Sequence, residues 1–461
     1  MTEKLLGDGY YIRFANASYV DEIQNVVANS FTKPNAPPNP QLGRYWRRIA
    51  TDEEKHPEMT EYNTLIVIYR DGIFKTEKVV ANTSVWEEEM VYEGINFKIA
   101  RLEIVGVLFE HRGKNLIRHL FEEWHHVCEA RGIQVQTVFG IDNYYRQFGY
   151  EYALEGNPPA QTWFSAVPTL ASDEVEGFAC RPAKIEDIED ILEIAATEYK
   201  DLAIYNRMQR KWLERQIHTH EDRITYDLPA KYTRRVISFI DSDGQVAAYA
   251  EHTTRGDPTA ISMLFCGIRV GTCIEKAVPS MLRGILKFVK EDSSAEDFAR
   301  KTHFEWWPSM GPAFMESLPP AIVSPVQSLP HEYTKYVRVS NLANFVTALI
   351  PALNGRLERS LRWSSYTGSI KVSNYSTKYP GFELSIDRGK VTKVSQFAKG
   401  GQSLDENIGY FPGKTFLQVL FGRRSIQELH HILPDVSMND NTLELLSTLF
   451  PKSKTRSYSF Y

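Results

Sequence analysis

The chain lacks several features that point to particular protein classes. Among its 461 residues there are only four cysteines, with neither C-x-x-C pairs nor metal-ligand spacing, which predicts free thiols in a reducing compartment. No apolar run approaches the roughly 20 residues of a membrane span, and Met1–Lys4 lacks the apolar stretch of a signal peptide. We therefore expect a cytoplasmic protein with no membrane partner.

The charge and the missing motifs exclude further functions. The formal net charge is −5, from 53 basic and 58 acidic residues, so we expect no nucleic-acid partner. The sequence contains no G-x-S-x-G elbow, H-E-x-x-H pair or P-loop. Neither a metal site nor serine-hydrolase chemistry is predicted. What remains is an ordinary globular composition, with 43% hydrophobic residues, and a length that predicts about three domains.

The most informative stretch runs from Ile104 to Tyr150. It starts with an apolar strand, continues through a basic turn containing glycine, and enters a helix whose apolar residues recur at helical spacing. A turn that leads into a helix offers free backbone N–H groups and the positive end of the helix dipole, and Arg112 and Lys114 add positive charge. The sequence therefore predicts an anion site at this turn.

A second predicted strand, from Val135 to Phe139, precedes the segment Tyr144-Tyr145-Arg146-Gln147-Phe148-Gly149-Tyr150. The turn and this segment resemble the acyl-CoA-binding core of the GNAT superfamily of N-acyltransferases, with its R/Q-x-x-G-x-G/A and F/Y-Y-x-x-x-G-F/Y motifs. Asn115 and Ile117 stand where the family has Gly, and Gly or Ala. Since Asn is among the few residues that tolerate positive φ, we expect Asn115 to preserve the turn.

The resemblance implies that acetyl-CoA is the co-substrate and assigns site residues. The cofactor-binding residues would be Val107, Leu108, Phe109, Arg112, Gly113, Lys114, Asn115, Leu116, Ile117 and Asn143. A backbone N–H near Val107 or Leu108 would polarise the thioester carbonyl. Tyr145 would be the catalytic acid that protonates the departing thiolate.

The first domain's pattern returns later in the chain. The segment from Ile12 to Ile23 aligns without a gap with the segment from Cys180 to Ile191, which contains Arg181. Each copy is followed by a predicted hairpin, helix and strand. The second copy has no Arg-Gly turn before its late helix. We therefore expect a GNAT-like fold without a cofactor there.

The composition shifts beyond Pro325 to short strands with Gly turns and apolar helices, and this part resembles sterol-carrier-protein folds. The whole order resembles the enhanced-intracellular-survival family of bacterial N-acetyltransferases. We therefore predict an α/β (α+β) protein: tandem GNAT folds with mixed sheets, plus a small C-terminal α+β domain. The predicted domains are 1–170, the acyl-CoA-binding catalytic domain; 171–330, the degenerate copy; and 331–461, the sterol-carrier-like domain.

The implied function is acetyl-CoA-dependent N-acetyl transfer to an amine of a small molecule or a lysine-like acceptor. In the resembled family the terminal α-carboxylate enters the first domain's active site, so Tyr461 would supply the base, with Tyr145 as the acid. The alternative is a non-catalytic GNAT-like protein that binds an apolar ligand or a protein partner. Whether the chain is a monomer or a homo-oligomer stays open.

Overall fold

The computed structural model describes residues 3–32, 36–50, 63–72, 76–154, 160–221, 234–254, 257–307, 310–325, 334–400 and 407–457. It divides into two compact units. The first consists of Met1–Leu154, Ala203–Asn206 and Thr334–Thr455, and the second of Glu155–Leu202, Arg207–Tyr333 and Arg456–Tyr461.

Strands and helices alternate through most of the chain. The strands are β1 (Lys4–Gly7), β2 (Tyr10–Phe14), β3 (Thr64–Asp71), β4 (Thr76–Tyr92), β5 (Ile95–Val107), β6 (Val135–Val138), β7 (Glu151–Leu154), β8 (Ala160–Trp163), β9 (Ala179–Pro182), β10 (Ile204–Asn206), β11 (Arg234–Ile240), β12 (Val246–Thr253), β13 (Ala260–Ile268), β14 (His303–Trp306), β15 (Ser324–Pro325), β16 (Lys335–Val339), β17 (Gly368–Ser373), β18 (Gly381–Asp387), β19 (Lys390–Phe397), β20 (Ile408–Tyr410) and β21 (Thr455–Arg456).

The α-helices are α1 (Val20–Ser30), α2 (Pro40–Ala50), α3 (Leu116–Ala130), α4 (Ile188–Thr197), α5 (Arg210–Glu221), α6 (Ile274–Asp292), α7 (Ala295–Ala299), α8 (Pro312–Ser317), α9 (Leu342–Ala348), α10 (Ile350–Glu358), α11 (Phe416–Leu420), α12 (Ile426–Ile432) and α13 (Asp440–Leu449).

The main sheet of the first unit has the strand order β1-β2-β3-β4-β5-β6-β16-β7, and β10 pairs with β4. Strands β2 to β5 are antiparallel, β5 and β6 are parallel, and α3 connects these last two. The predicted hairpin of β3 and β4 and the predicted helix α3 are both confirmed. The buried residues of α3 recur at helical spacing: Leu116, Leu120, Phe121, Trp124 and Cys128.

The C-terminal part of the first unit is joined to this sheet. Strand β16 lies between β6 and β7 and is antiparallel to both. A four-stranded sheet, β19-β18-β17-β20, follows. Buried residues of both sheets and of the C-terminal helices form one hydrophobic cluster, which includes Ile99, Val135, Phe345, Phe382 and Leu446. The C-terminal part therefore shares a core with the first sheet rather than enclosing one of its own.

The sheet of the second unit repeats the first sheet's arrangement. Its order is β9-β11-β12-β13-β14-β8-β15, in which β13 and β14 are the parallel pair and α6 connects them. In each sheet a strand distant in sequence, β16 or β8, pairs antiparallel with the far side of the parallel pair. The predicted α/β class with tandem mixed sheets is confirmed. The domain boundaries at 170/171 and 330/331 stay predictions.

Two further findings concern the cysteines and the helices. All four cysteines are free, as the spacing predicts. Within the described ranges, no helix has both the length and the apolar character needed to cross a bilayer.

Candidate active site

The parallel strands β5 and β6 part at one end, and the gap between them is the candidate cleft. The last paired residues are Leu102 and Val138, where β6 ends. Strand β5 continues to Val107 and stays paired with β4 on its other side. The stretch from Glu103 to Val107 therefore has an edge turned away from β4, on the side where β6 has ended.

A bulge lies on this open stretch. Glu103 pairs with Ser84, and Gly106 with Asn82, so two residues of β5 face one residue of β4. Ile104, in the bulge, has a φ of +54°, a conformation that is costly for a β-branched residue. The side-chain amide of Asn82 donates to the Ile104 carbonyl at 2.9 Å and holds the bulge. Such bulges redirect strands next to active sites.

The two predicted oxyanion donors are placed differently. The N–H of Leu108 donates to the Val80 carbonyl at 2.9 Å, so that hydrogen is already used. Successive residues in an antiparallel strand direct their N–H groups to opposite sides. The N–H of Val107 is therefore directed away from β4, towards the cleft. Phe109 follows at the mouth, with 59% of its surface exposed.

The predicted anion-binding turn has the expected conformation. Gly113 and Asn115 adopt φ values of +76° and +57°, and Asn115 is the N-cap of α3. Residues 112–115 are exposed, and the first turn of α3 contains no acidic side chain. Arg112 donates to the Ser30 carbonyl at 3.0 Å and lies over the Phe109 ring. This fixes the turn and leaves the N-terminus of α3 open to an anion.

The residues present fit a pyrophosphate-bearing co-substrate. An atom added to Gly113 would meet nothing within 4 Å, so the space beside the turn is open. Lys114 is exposed there, Leu116 is buried in the core, and Ile117 is half-buried. Backbone N–H groups at a helix N-terminus and nearby basic side chains are the usual partners of a phosphate. The bulky Ile117 does not close the turn.

Tyr145 lies in the short helical turn that follows β6. It is 5% exposed and stacks on Phe121, with ring centroids 5.7 Å apart. Its hydroxyl is close to Gly140, where an added Cβ would lie 2.9 Å from the oxygen. Burial, followed by the charge of Glu103, raises the pKa of Tyr145. The phenol therefore keeps its proton at neutral pH, as a general acid requires.

Two residues precede Tyr145 in this segment. Tyr144 packs edge-on against it, with ring centroids 5.2 Å apart. Asn143 is the N-cap of the turn, has a φ of +59° and is exposed. Its predicted role in binding the co-substrate stays a prediction.

A buried ionic network next to this site was not predicted from the sequence. Arg101 on β5 is 1% exposed and contacts the carboxylates of Glu88, at 2.7 Å, and Glu103. Asn206 donates to Glu88 at 3.2 Å. Lys335 is fully buried, and burial together with Arg101 lowers its pKa to about 7. Charged and apolar residues alternate in β5, which could have indicated the network. A strand with one face exposed to water shows the same alternation, so the pattern does not identify a buried charge.

The second unit differs at the corresponding helix. Before α6, the guanidinium group of Arg269 forms ion pairs with Asp190, at 2.5 Å, and with Glu193, at 3.0 Å. Glu275 lies in the first turn of α6, and a hydrogen bond from its own backbone N–H is the first cause of its lowered pKa. The Glu275 carboxylate therefore already supplies negative charge at the N-terminus of α6, where a bound anion would otherwise lie.

Two further expectations concern the rest of the site. Tyr461 lies outside the described residues. In the part of the chain that the structure describes, no group of three or more His, Cys, Asp or Glu side chains could hold a metal ion.

Comparison with known proteins agrees with this geometry. Residues 11–153 match the family model of the acetyltransferase (GNAT) domain. No curated protein sequence matches the chain significantly. Among solved structures, a probable N-acyltransferase of unknown function from Enterococcus faecalis has a TM-score of 0.64 at 13% identity and covers 98% of this chain and 100% of its own.

Two further structures share the fold over similar lengths. A GCN5-related N-acetyltransferase from Anabaena variabilis has a TM-score of 0.62 at 12% identity, covering 98% of this chain and 100% of its own. Eis1 from Mycobacterium abscessus has a TM-score of 0.57 at 14% identity, covering 98% and 99%. The cleft and the turn lie within residues 11–153, the stretch that matches the acetyltransferase (GNAT) domain.

Proposed function

We propose that this protein transfers an acetyl group from acetyl-CoA to a primary amine of a small molecule or a lysine-like acceptor. The observation that carries the proposal is that the turn at the N-terminus of α3 is exposed, while the segment after β6 holds a buried Tyr145 whose raised pKa keeps its proton at neutral pH. The turn would hold the pyrophosphate through backbone N–H groups, with Arg112 and Lys114 adding positive charge.

The residues divide the chemistry among them. The amine nitrogen attacks the thioester carbonyl carbon while the carbonyl oxygen accepts a hydrogen bond from the Val107 N–H. The carbon–sulfur bond breaks, and Tyr145 gives its proton to the departing thiolate. An alkyl amine with a pKa near 10.4 is neutral only about one part in a thousand or less at pH 7, so a base is useful.

We infer that the terminal carboxylate of Tyr461 is this base. An α-carboxyl group, with a reference pKa of about 3.3–3.7, is charged at pH 7 and would also attract a cationic amine. Among the described residues, Glu103 is a carboxylate close enough to influence Tyr145, but Arg101 contacts it directly. A carboxylate that is paired with a guanidinium group is a weaker proton acceptor than one without such a partner.

The function is tested by following CoA release and product mass with a panel of small amines and lysine peptides. We expect turnover that depends on both acetyl-CoA and an amine. Release of CoA without acetylated product, or no release with any amine, would contradict it. Binding of acetyl-CoA without transfer would favour a non-catalytic binding protein.

The role of the chain end is tested separately. A chain that lacks Phe460 and Tyr461, and a chain extended by a C-terminal tag, both remove the terminal carboxylate from its proposed position. We expect either protein to stay folded and to bind acetyl-CoA, but to lose most of its transfer activity. Full transfer activity in either protein would contradict the role of the terminal carboxylate as the base. Glu103→Gln, made in parallel, tests the other carboxylate.

A further inference from the structure

A cavity of about 270 Å³ lies in the C-terminal part of the first unit, near the end of β16, the segment between β17 and β18, and the start of α11. This volume is just below the range of ligand pockets, about 300–1,000 Å³. Two lysines, Lys378 and Lys414, line it together with the amide side chains of Asn341, Asn374 and Gln396. Among the described residues that line the cavity, none is acidic.

We propose that this cavity binds a small organic anion, in which a carboxylate or phosphate group is joined to a short apolar body. The proposal does not depend on acetyl transfer, since the cavity shares no residue with the predicted acetyl-CoA site. Arg338, close to the cavity lysine Lys414, contacts Glu129 near the C-terminus of α3, whereas the proposed pyrophosphate turn is at the N-terminus of that helix.

The lysines are arranged around an aromatic ring. The ammonium group of Lys414 lies 3.8 Å from the centroid of the Tyr379 ring, and that of Lys378 lies 5.6 Å from it. Cation–π contacts are weak attractions to the face of a neutral ring. They hold the two ammonium groups at the cavity without neutralising their charge.

More positive charge lies behind Lys414. A Cβ added to Gly149 would lie 2.7 Å from Nζ of Lys414 and 3.8 Å from Nε of Arg338, so the two cations are close. Arg338 donates to Glu129 at 3.2 Å, but its Nη1 is buried without a hydrogen-bond partner in the described chain. His125, also near both cations, is neutral because burial lowers its pKa to about 3.

Burial and the neighbouring positive charges lower the pKa of Lys414. Its pKa is lowered to about 7, first by burial and then by Arg338 and Lys378. A half-buried cation next to other cations is unfavourable unless an anion offsets the charge. A bound carboxylate or phosphate would supply that charge and accept hydrogen bonds from the ammonium groups.

The apolar residues that line the cavity indicate what the ligand contains besides its acidic group. Leu342, Pro380, Phe416 and Leu417 give the cavity an apolar side. Burial of a small hydrocarbon group against these residues is favourable because it removes apolar surface from water. A bare inorganic ion would leave this side in contact with water. The cavity is too small for a long acyl chain, so a compact body such as an aromatic ring fits best.

Calorimetric titration of the full chain with benzoate, phenyl phosphate, inorganic phosphate and benzamide tests the proposal. Benzamide has the shape of benzoate but no charge. We expect one site per chain for benzoate or phenyl phosphate, and binding by benzamide and inorganic phosphate at least tenfold weaker. The stronger of the two aromatic anions identifies the acidic group. Equal binding of benzamide, or no binding of any aromatic anion at millimolar concentrations, would overturn the proposal.

Variants locate the site. Lys414→Met should weaken the favoured anion roughly tenfold or more, the loss of a charge-assisted hydrogen bond. Lys378→Met changes an exposed residue and should preserve the fold while weakening binding several-fold. Lys393→Met, an exposed lysine of β19 outside the cavity, is the matched control and should bind as the unmodified chain does. Unchanged affinity in both cavity variants would contradict the assignment.

Proton uptake gives an independent readout. Because a bound anion raises the pKa of Lys414, binding at pH 8 should take up a proton, and affinity should fall as pH rises above 7. Titrations in two buffers of different ionisation enthalpy measure this uptake. Acetyl-CoA binding, measured on the same variants, should not change, which separates this site from the proposed enzymatic one.

Discussion

At the scale of single residues, the hydroxyl of Tyr145 is the group on which the proposed chemistry depends. The ring is buried against Phe121, while the hydroxyl lies beside Gly140. Tyr145→Phe removes only the oxygen, so packing should be preserved. We expect turnover to fall by roughly 10²-fold or more, as is usual for loss of a general acid, with unchanged acetyl-CoA affinity and melting temperature.

Tyr144→Phe is the matched control, since Tyr144 packs on the same segment but has no proposed role in proton transfer. It should keep turnover within about twofold. Because the pKa of Tyr145 is raised above 10, turnover should also show no loss from tyrosine ionisation up to about pH 10. A Tyr145→Phe enzyme with near-normal turnover would show that another group protonates the thiolate.

At the scale of elements, the turn before α3 depends on the left-handed conformation of Asn115. A β-branched residue in this conformation is strained by about 1–2 kcal/mol, whereas Gly adopts it freely. We expect Asn115→Val to destabilise the protein by about that amount and to weaken acetyl-CoA binding. Asn115→Gly should retain binding. Calorimetry and thermal melts measure both effects, and equal affinity of the two variants would contradict a role for the turn's conformation.

Local patterns predicted this element well, because their causes are local. The helical spacing of α3 and the tolerance of Asn115 for positive φ each reflect neighbouring residues. The position of β16 could not be predicted in the same way. Its pairing with β6 joins residues about 200 positions apart, and no periodicity within either strand specifies that partner.

The buried network of Arg101 escaped prediction for a related reason. A charged residue that alternates with apolar ones in a strand usually faces water. Here Arg101 faces inwards because Glu88, on the neighbouring strand, and Glu103 offset its charge. Only the register between β4 and β5 reveals that pairing.

At the scale of the whole molecule, buried lysines make stability depend on pH. The folded pKa of Lys335 is about 7, whereas an unfolded lysine titrates near 10.4. Between these values the unfolded chain binds more protons, so the free energy of unfolding rises with pH. Lys414, also at about 7, adds a contribution of the same sign.

Lys335→Met should therefore reduce the rise in stability between pH 7 and pH 10 without abolishing it. Denaturation midpoints at several pH values measure the slope, and Lys393→Met, an exposed change, should leave it intact. The same slope in Lys335→Met and the unmodified chain would mean that Lys335 stays charged when folded.

We expect acetyl-CoA to bind at one of the two similar sheets, that of the first unit. In the first unit the N-terminus of α3 is open and flanked by basic residues, whereas in the second unit Glu275 already occupies the N-terminus of α6. Calorimetric titration of the full chain with acetyl-CoA tests this most directly. We predict one site per chain, severely weakened in Arg112→Glu and unchanged in Arg269→Glu. Two sites per chain, no binding, or full binding by Arg112→Glu would contradict the account.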